Sequence, residues 1–346
     1  MSIKVSRPGK LYLAGEYAVL SGQSKAIIIK TKVKLHVTIK KDTVFRICDA
    51  DQNLLLSFDH EMKMIESLSQ PYLKEAIHFC YKFLKETDQV FNPFHLSISN
   101  DLNIQNLEKL GLGSSAALTI AVIDAILKYH DIYLKPIELY KAGVLTQINR
   151  YPYSSFGDLA CSSFDHPIIY QKFDHKWLKD QMNQSLNTLI FQDWQGLIVE
   201  PFDMPKLPIL FIYTNQAANS QHLVKAIETK TSEKTYHAFI ESSKTIVDQL
   251  IDHLKNSQSN FILSSIQQLN KHLKLLALEA STPLFTPIMN SIEADVMSCH
   301  GAFKFSGAGG GDCVIAIFKD AHDLAAFKQK TKNKYHIIND MIEGLN

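Results

Sequence analysis

The segment Gly111-Leu112-Gly113-Ser114-Ser115-Ala116-Ala117 joins a glycine turn to an apolar stretch that reaches about residue 128. Glycines permit a tight turn and the close approach of a ligand. The start of a following helix presents unpaired N–H groups and the positive end of the helix dipole, a combination suited to a triphosphate. An ordinary helix cap after a glycine turn is the alternative, and this motif alone does not decide between them. The chain has no GxxxxGK[ST] sequence, which excludes the P-loop NTPases.

A second glycine-rich segment lies near the C-terminus, Phe305-Ser306-Gly307-Ala308-Gly309-Gly310-Gly311-Asp312-Cys313. Ordering so many glycines costs conformational entropy. The run lies between two strand-like segments and is flanked by Ala, Ser and Cys rather than by strongly solvated residues. A backbone that wraps closely around a ligand is therefore favoured over a flexible hairpin loop.

A third segment, Ser154-Ser155-Phe156-Gly157-Asp158-Leu159-Ala160, places an aspartate in a Ser/Gly turn. Aspartate in such a turn most often forms an Asx-turn or caps a helix. Taken alone, Asp158 is therefore a weak candidate for a catalytic base.

Hydrophobic periodicity indicates strands in the first third of the chain. Apolar and polar residues alternate from Val33 to Ile39, which predicts a half-buried strand. Further short strands are predicted at 43–48, 54–58 and 94–99, and together they suggest a mostly antiparallel sheet. Residues 71–86 begin with proline and have apolar residues at helical spacing, which predicts a helix.

The rest of the chain is richer in helix. The predicted elements are a helix over 114–128, a helix over 136–149, a buried strand over 209–213, about four helices up to residue 298, a strand–turn–strand over 301–318, and a final helix and strand. Strands precede helices without a regular βαβ alternation, which indicates an α+β protein in two lobes. The stretch Pro201–Pro208 is the candidate boundary, and the predicted domains are 1–205 and 206–346.

Composition excludes several classes of function. The 346 residues are 46% hydrophobic, and 36 basic against 35 acidic residues give a net charge of +1. Such a balance does not favour nucleic acid or a membrane surface as a partner. The five cysteines form no CxxC pair, so we expect neither a disulfide scaffold nor a zinc site. We expect a cytoplasmic protein without a signal peptide or transmembrane helix.

The three segments occur together with the N-terminal stretch Pro8-Gly9-Lys10-Leu11-Tyr12-Leu13-Ala14-Gly15-Glu16-Tyr17-Ala18-Val19-Leu20. This stretch resembles the first motif of the GHMP kinases, the superfamily of galactokinase, homoserine kinase, mevalonate kinase and phosphomevalonate kinase. The GLGSS segment resembles their second motif, and the glycine-rich segment near the C-terminus resembles their third. The resemblance implies the two-lobed GHMP kinase fold, with an N-terminal lobe of mixed sheet and helices, a helix-rich α+β C-terminal lobe, and an ATP site between them.

The resemblance also implies ATP and Mg²⁺ as cofactors. The implied phosphate-binding residues are Lys109, Gly111, Leu112, Gly113, Ser114, Ser115 and Ala116. Ser115 is the implied Mg²⁺ ligand, and Lys10 and Asp158 are the implied catalytic residues. Our hypothesis is that Asp158 orients Lys10 and the acceptor, while Lys10 neutralises charge on the transferring phosphoryl group.

Within the superfamily, the motifs look like those of bacterial-type phosphomevalonate kinases, and mevalonate kinases tend to have His where Tyr17 stands. The implied reaction transfers the γ-phosphoryl group of ATP to 5-phosphomevalonate, giving 5-diphosphomevalonate, in a monomer or homodimer. The candidate acceptor-binding residues are Tyr17, Ser155, Thr214, Ser220, Ser306, Gly307, Ala308, Gly309 and Gly310.

Two departures from the family pattern affect the site. The turn at 150–154 is Arg-Tyr-Pro-Tyr-Ser, where the family usually has Gly and Asn. Gln147 stands where mevalonate kinases carry a Glu that binds Mg²⁺, so Ser115 would hold the metal with phosphate oxygens and water.

Two other functions stay open at this point. A mevalonate kinase would use the same loops with an alcohol as acceptor. A non-catalytic sensor could keep the scaffold without the chemistry. The presence of Lys10, Ser115 and Asp158 argues against a sensor, and ATP turnover above background would separate the two.

Overall fold

The computed structural model describes residues 2–49, 53–58, 68–102 and 111–338. Its helices and strands follow the order expected of an α+β chain. The strands are β1 (Ser2–Ala14), β2 (Lys25–Lys41), β3 (Phe45–Cys48), β4 (Leu54–Phe58), β5 (Phe94–Asn100), β6 (Ile168–Gln171), β7 (Ile198–Pro201), β8 (Ile209–Tyr213), β9 (Ala302–Phe305), β10 (Cys313–Ile317) and β11 (His336–Ile337). The helices are α1 (Pro71–Glu86), α2 (Ser114–Tyr129), α3 (Pro136–Gln147), α4 (Gly157–Phe164), α5 (His175–Gln181), α6 (Leu186–Phe191), α7 (Ser220–Lys230), α8 (Glu233–Lys255), α9 (Ser259–Glu279), α10 (Pro287–Ser298) and α11 (Ala321–Lys330). A 3-10 turn at Ala18–Ser21 follows β1.

The larger sheet is organised around the long strand β2. Within the described ranges it has seven strands in the order β4-β3-β5-β2-β6-β7, with β1 on the other edge of β2. All pairs are antiparallel except β3 with β5. The register of β1 against β2 shifts between Pro8 and Lys10, beside the segment that carries the first motif.

Helix α2 is the central element of the N-terminal lobe. Residues Ala116 to Leu127 are all buried, because the helix packs against β1 and β2 and against α1, α3 and α4. A helix that is apolar on every side is stable only in such surroundings. This burial fixes the N-terminus of α2, and hence the glycine turn before it, relative to the sheet.

The smaller sheet has the order β11-β8-β10-β9 in the part of the chain that the structure describes. Its strands are antiparallel, and β8, β9 and β10 are fully buried while β11 is partly buried. Along β8, the side chains of Ile209 and Phe211 join the larger core, which extends from the N-terminal lobe to α8 and α9, while Leu210 and Ile212 join a second core. Alternate residues of a strand point to opposite faces, so this sheet separates the two cores.

The structure confirms the α+β class and the two-lobed architecture, with a sheet lobe followed by a helix-rich lobe. The helix predicted at 71–86 is α1, and the helices and strands predicted on either side of both glycine-rich segments are also present. Strands β6 and β7 and helices α5 and α6 were not predicted. The larger sheet ends at Pro201 and β8 begins at Ile209, but the division into 1–205 and 206–346 stays a prediction.

Candidate active site

The phosphate loop, residues 111–116, lies at the N-terminus of α2. Gly111 and Gly113 have φ values of 69° and 79°, a conformation that glycine adopts at little cost. Gly113 is the N-cap of α2, with no side-chain cap hydrogen bond, and the first bond of the helix runs from Ala117 N to Gly113 O at 3.1 Å. The earlier amides have no partner within the helix. This end of α2 lines a cleft of about 1020 Å³, so an anion could bind there.

Lys10 lies on β1 directly against the phosphate loop. Its backbone N–H donates to the Leu112 carbonyl at 2.7 Å, and its Nζ donates to the Gly111 carbonyl at 3.0 Å. A Cβ at Gly9 would lie 2.4 Å from the Leu112 oxygen, which explains a glycine at that position. The strand therefore holds the ammonium group at the loop.

Asp158 lies in the first turn of α4, next to the start of the helix, so the Ser/Gly turn of the sequence leads into a helix. Its Oδ1 accepts from the Leu159 N–H at 3.0 Å. A Cβ built on Gly113 would lie 3.7 Å from Asp158 Cβ and 3.1 Å from Lys10 Cγ, so the three residues surround one point of the cleft. No ion pair joins Lys10 to Asp158 among the described residues; the Lys10 ammonium group instead donates to the Gly111 carbonyl and lies 5.5 Å from the centre of the Tyr12 ring.

The first half of the C-terminal glycine-rich loop lines the same cleft as these residues. The Ser306 hydroxyl accepts from the Tyr12 N–H at 2.8 Å, and the Tyr17 hydroxyl donates to the Ala308 carbonyl at 2.6 Å. Gly307 has a φ of 90°, and a Cβ built on it meets no atom within 4 Å. The backbone here borders open space that a ligand can occupy.

Gly309 and Gly310 of the same loop are not among the residues that line the cleft. A Cβ at Gly309 would lie 2.7 Å from the Leu284 oxygen, and one at Gly310 would lie 2.8 Å from Leu223 Cδ1. These glycines are needed for close packing within the C-terminal lobe. The structure therefore gives them a role in packing and not one in contacting an acceptor.

The remaining candidate residues have different surroundings. Ser155 lines the cleft, and its hydroxyl is 2.7 Å from that of Tyr12. Ser220 lines the cleft at the start of α7. Thr214 is buried, and its hydroxyl donates to the Asp312 carbonyl at 2.9 Å. It does not border the cleft, so it is not placed to contact an acceptor. Lys109 lies outside the described residues.

The predictions from the sequence did not include a buried ion pair next to the C-terminal glycine-rich loop. The Glu16 carboxylate, which borders the cleft, pairs with the Lys304 ammonium group and also accepts from the Gly307 N–H at 3.4 Å. Burial raises the pKa of Glu16 and lowers the pKa of Lys304, while the opposite charge works against each change. The signal was a lone lysine between phenylalanines in β9, because a buried lysine requires a partner.

Asp312 was also missed as a contact between the lobes. Its Oδ1 accepts from the Ala218 N–H at 3.1 Å, and a Cβ at Gly111 would lie 2.5 Å from its carboxylate. The third motif thus approaches the phosphate loop closely, and only glycine fits between them.

The unusual turn at 150–154 forms another wall of the cleft. Tyr151 stacks on Tyr72 of α1, with ring centroids 5.2 Å apart, and Arg150 donates to Glu75 at 2.8 Å. Tyr72 and Ser115 of the phosphate loop both border the cleft as well. The aromatic turn is therefore attached to α1 and borders the same cleft as the phosphate loop.

Oxygen atoms suited to Mg²⁺ are present beside the phosphate loop. Ser115 presents a hydroxyl and Asp158 a carboxylate, and both border the cleft. Gln147 also borders it, but its Nε2 donates to the buried Thr119 hydroxyl at 2.8 Å. Mg²⁺ binds oxygen ligands and keeps several waters, so Ser115 and Asp158 fit this metal.

No helix among the described residues is long and apolar enough to span a membrane.

The chain matches two models of one protein family. Residues 72–165 match the "GHMP kinases N terminal domain" and residues 257–337 match the "GHMP kinases C terminal" description. A phosphomevalonate kinase of Streptomyces sp. (strain CL190) is 26% identical, over 93% of this chain and 92% of that protein. A mevalonate kinase of Pyrococcus furiosus is also 26% identical, over 92% of this chain and 89% of that protein.

A solved structure is similar over nearly the whole chain. It is the phosphomevalonate kinase of Streptococcus pneumoniae in complex with phosphomevalonate and AMPPNP, with 27% identity, a TM-score of 0.83 and 96% coverage of each chain. The two family matches, the similar proteins and the residues of the cleft all indicate the same family. The chain belongs to the GHMP kinases, and it is a phosphotransferase of the mevalonate pathway.

Proposed function

We propose that the chain transfers the γ-phosphoryl group of ATP to the phosphate of 5-phosphomevalonate, giving 5-diphosphomevalonate and ADP. The observation that carries the proposal is that both glycine loops border one cleft with Lys10 and Asp158. Phosphoryl transfer depends on positioning two substrates and neutralising charge more than on covalent catalysis. This cleft would position the two substrates and neutralise their charge.

The N-terminus of α2 would hold the triphosphate of ATP. Its first amides and the dipole of a helix of 16 residues favour negative charge at this position. Lys10 would place its ammonium group at the transferring phosphoryl group, since Nζ already lies at the Gly111 carbonyl. Magnesium, when bound by Ser115, Asp158 and the phosphates, would neutralise further charge.

The proposed acceptor does not require a strong base. The second pKa of a phosphate monoester is about 6, so its oxygen is largely ionised near neutral pH. Asp158 would then position the acceptor and the metal rather than remove a proton. This modifies the hypothesis that it orients Lys10, because Lys10 is held by the loop carbonyl.

The choice of acceptor rests on relatives of two kinds. The pneumococcal structure, with bound phosphomevalonate, supports 5-phosphomevalonate. The mevalonate kinases among the relatives keep mevalonate as the second candidate. Tyr17 and Gln147, which differ from residues typical of mevalonate kinases, favour the first candidate.

A coupled ADP-release assay with Mg-ATP tests the proposal, with mevalonate and 5-phosphomevalonate as parallel acceptors. We expect turnover on 5-phosphomevalonate only. Turnover on mevalonate alone would overturn the proposed acceptor and keep the ATP site. Omitting Mg²⁺ and adding a chelator should abolish activity, which tests the metal separately.

We further propose a cytoplasmic location, on the basis of the cysteine pattern and composition described above. All five cysteines are buried, so none is displayed on the surface for a bond to another chain. Whether the protein is a monomer or a homodimer stays a prediction, which sedimentation would test.

A further inference from the structure

The backbone at Tyr17 has a rare conformation at the wall of the cleft. Its φ is 62° and its ψ is −48°, and the Ala18 N–H donates to the Glu16 carbonyl at 2.7 Å. This is a γ-turn with positive φ, a form that is uncommon and strained. Glycine would adopt a positive φ without steric cost, but the chain has a tyrosine here. The side chain of Tyr17 therefore needs an explanation beyond the turn itself.

Two hydrogen bonds hold this turn against the C-terminal lobe. The Tyr17 hydroxyl donates to the Ala308 carbonyl at 2.6 Å, and the Tyr236 hydroxyl on α8 donates to the Tyr17 carbonyl at 3.1 Å. Tyr17 is only 3% exposed. A strained residue persists where the surrounding structure fixes it from several sides, and such residues concentrate at functional sites.

The same region anchors the cleft-facing half of the glycine-rich loop. Three consecutive loop residues bind to the segment 12–17: Ser306 through the Tyr12 N–H, Gly307 through Glu16, and Ala308 through the Tyr17 hydroxyl. The bond to Tyr17 is the shortest of these, and the Glu16 contact, at 3.4 Å, is weak. The Tyr17 phenol therefore contributes most to fixing the end of this segment.

We propose that Tyr17 is a positioning residue for the acceptor. Its hydroxyl holds the Ala308 carbonyl, and so sets where the open backbone at Gly307 stands relative to Lys10 and Asp158. The phenolic hydrogen is used within the protein, so Tyr17 acts through the loop and not by donating to the acceptor. This inference rests on the proposed function, because it assigns the acceptor to that side of the cleft.

The variant Tyr17→Phe tests the inference, because it removes only the hydroxyl and leaves the ring and the γ-turn. We expect the KM for 5-phosphomevalonate to rise at least tenfold, with the KM for ATP within twofold of wild type. The midpoint of thermal unfolding should fall by no more than a few degrees. A purely structural role would lower the unfolding midpoint and leave both KM values unchanged.

The matched control is Tyr129→Phe. Its hydroxyl donates to the Pro93 carbonyl at 2.8 Å, away from the cleft, so the same atom is removed from the same kind of bond. This variant should leave both KM values within twofold. If Tyr17→Phe fails to fold, Tyr236→Phe, which removes the other bond to the turn, should raise the acceptor KM alone.

Three outcomes would overturn the inference: an acceptor KM within twofold of wild type, an equal rise in both KM values, or the same rise in the Tyr129 control. Failure of the proposed function is a separate result, because it is read on the wild type. If wild type phosphorylates mevalonate instead, the KM comparison is made with mevalonate, and the inference is judged on that acceptor.

Discussion

Glu16 and Lys304 form an ion pair whose side chains are 3% and 0% exposed. Lys304 also donates to the Phe305 carbonyl at 2.5 Å, so its ammonium group is bound on two sides. The pair joins the segment after β1 to β9 and thus connects the two lobes beneath the glycine-rich loop. A buried pair of this kind is costly to form, but removing one partner is more costly still.

Lys304→Met should lower the free energy of unfolding by about 3–5 kcal/mol near pH 7, because it leaves a buried carboxylate unpaired. The pKa of Glu16, already raised by burial, should rise further without the lysine. The folded state then holds a proton that the unfolded state releases, so the variant should lose stability as the pH rises above the ordinary pKa of glutamate. Urea unfolding at pH 5 and pH 8 measures this difference.

The double variant Glu16→Gln with Lys304→Met is the control, since it removes both charges. It should be more stable than Lys304→Met at pH 8. If the two variants have the same stability, the unpaired charge is not the cause of the loss.

Asp158→Asn should lower kcat at least tenfold, equivalent to about 1.4 kcal/mol of barrier. The amide keeps the size of the side chain but loses the charge that would position the metal and the acceptor. Asp165→Asn is the control, because Asp165 lies at the other end of α4. A kcat of Asp158→Asn within threefold of wild type would contradict a role in the reaction, as would an equal loss in the control.

Gly111→Ala should raise the KM for ATP at least tenfold. The added Cβ would lie 2.5 Å from the Asp312 carboxylate, so either the phosphate loop or the Asp312 side chain must move. The positive φ at residue 111 would by itself cost an alanine about 1 kcal/mol of stability. The control variant must therefore also place an alanine at a position with positive φ. Gly22→Ala is the control, because its φ is 72° but its nearest atom lies at 3.3 Å and it is not part of the cleft. If both variants raise the KM for ATP equally, the contact with Asp312 does not matter.

Asp295 should give the fold an acid-sensitive contact far from the cleft. Burial acts to raise its pKa, but hydrogen bonds from Lys334, Tyr335 and Lys330 outweigh burial and lower the pKa from 3.8 to about 2. A carboxyl with a lowered pKa stabilises the fold above its unfolded pKa, and this stability is lost as the pH falls from about 4 towards 2.

Asp295→Asn should therefore lower the free energy of unfolding by about 1–2 kcal/mol at pH 7, a value reduced because its lysine partners are partly exposed. The difference from wild type should shrink at pH 3. Urea unfolding of wild type and variant at pH 7 and at pH 3 measures this difference in free energy of unfolding. An equal difference at the two pH values would show that the charge of Asp295 plays no part.

The sequence by itself determined the features that depend on local chemistry. Proline at the first position and apolar residues at helical spacing define α1, and the glycine turn before an apolar run defines the start of α2. These follow from backbone preference and periodicity, which nearby residues set. Local signals also indicated the phosphate loop, whereas Lys10 and Asp158 were singled out by the resemblance of their segments to GHMP kinase motifs.

Tertiary structure alone decided which side chains meet across the cleft. Glu16 and Lys304 are 288 residues apart in the chain, and Tyr17 and Ala308 are 291 apart. No local pattern encodes such contacts, because they depend on how two sheets and two cores pack together. For the same reason the sequence could not show that Thr214, Gly309 and Gly310 turn away from the cleft, while Asp312 approaches Gly111: the direction of a side chain is fixed by what it packs against.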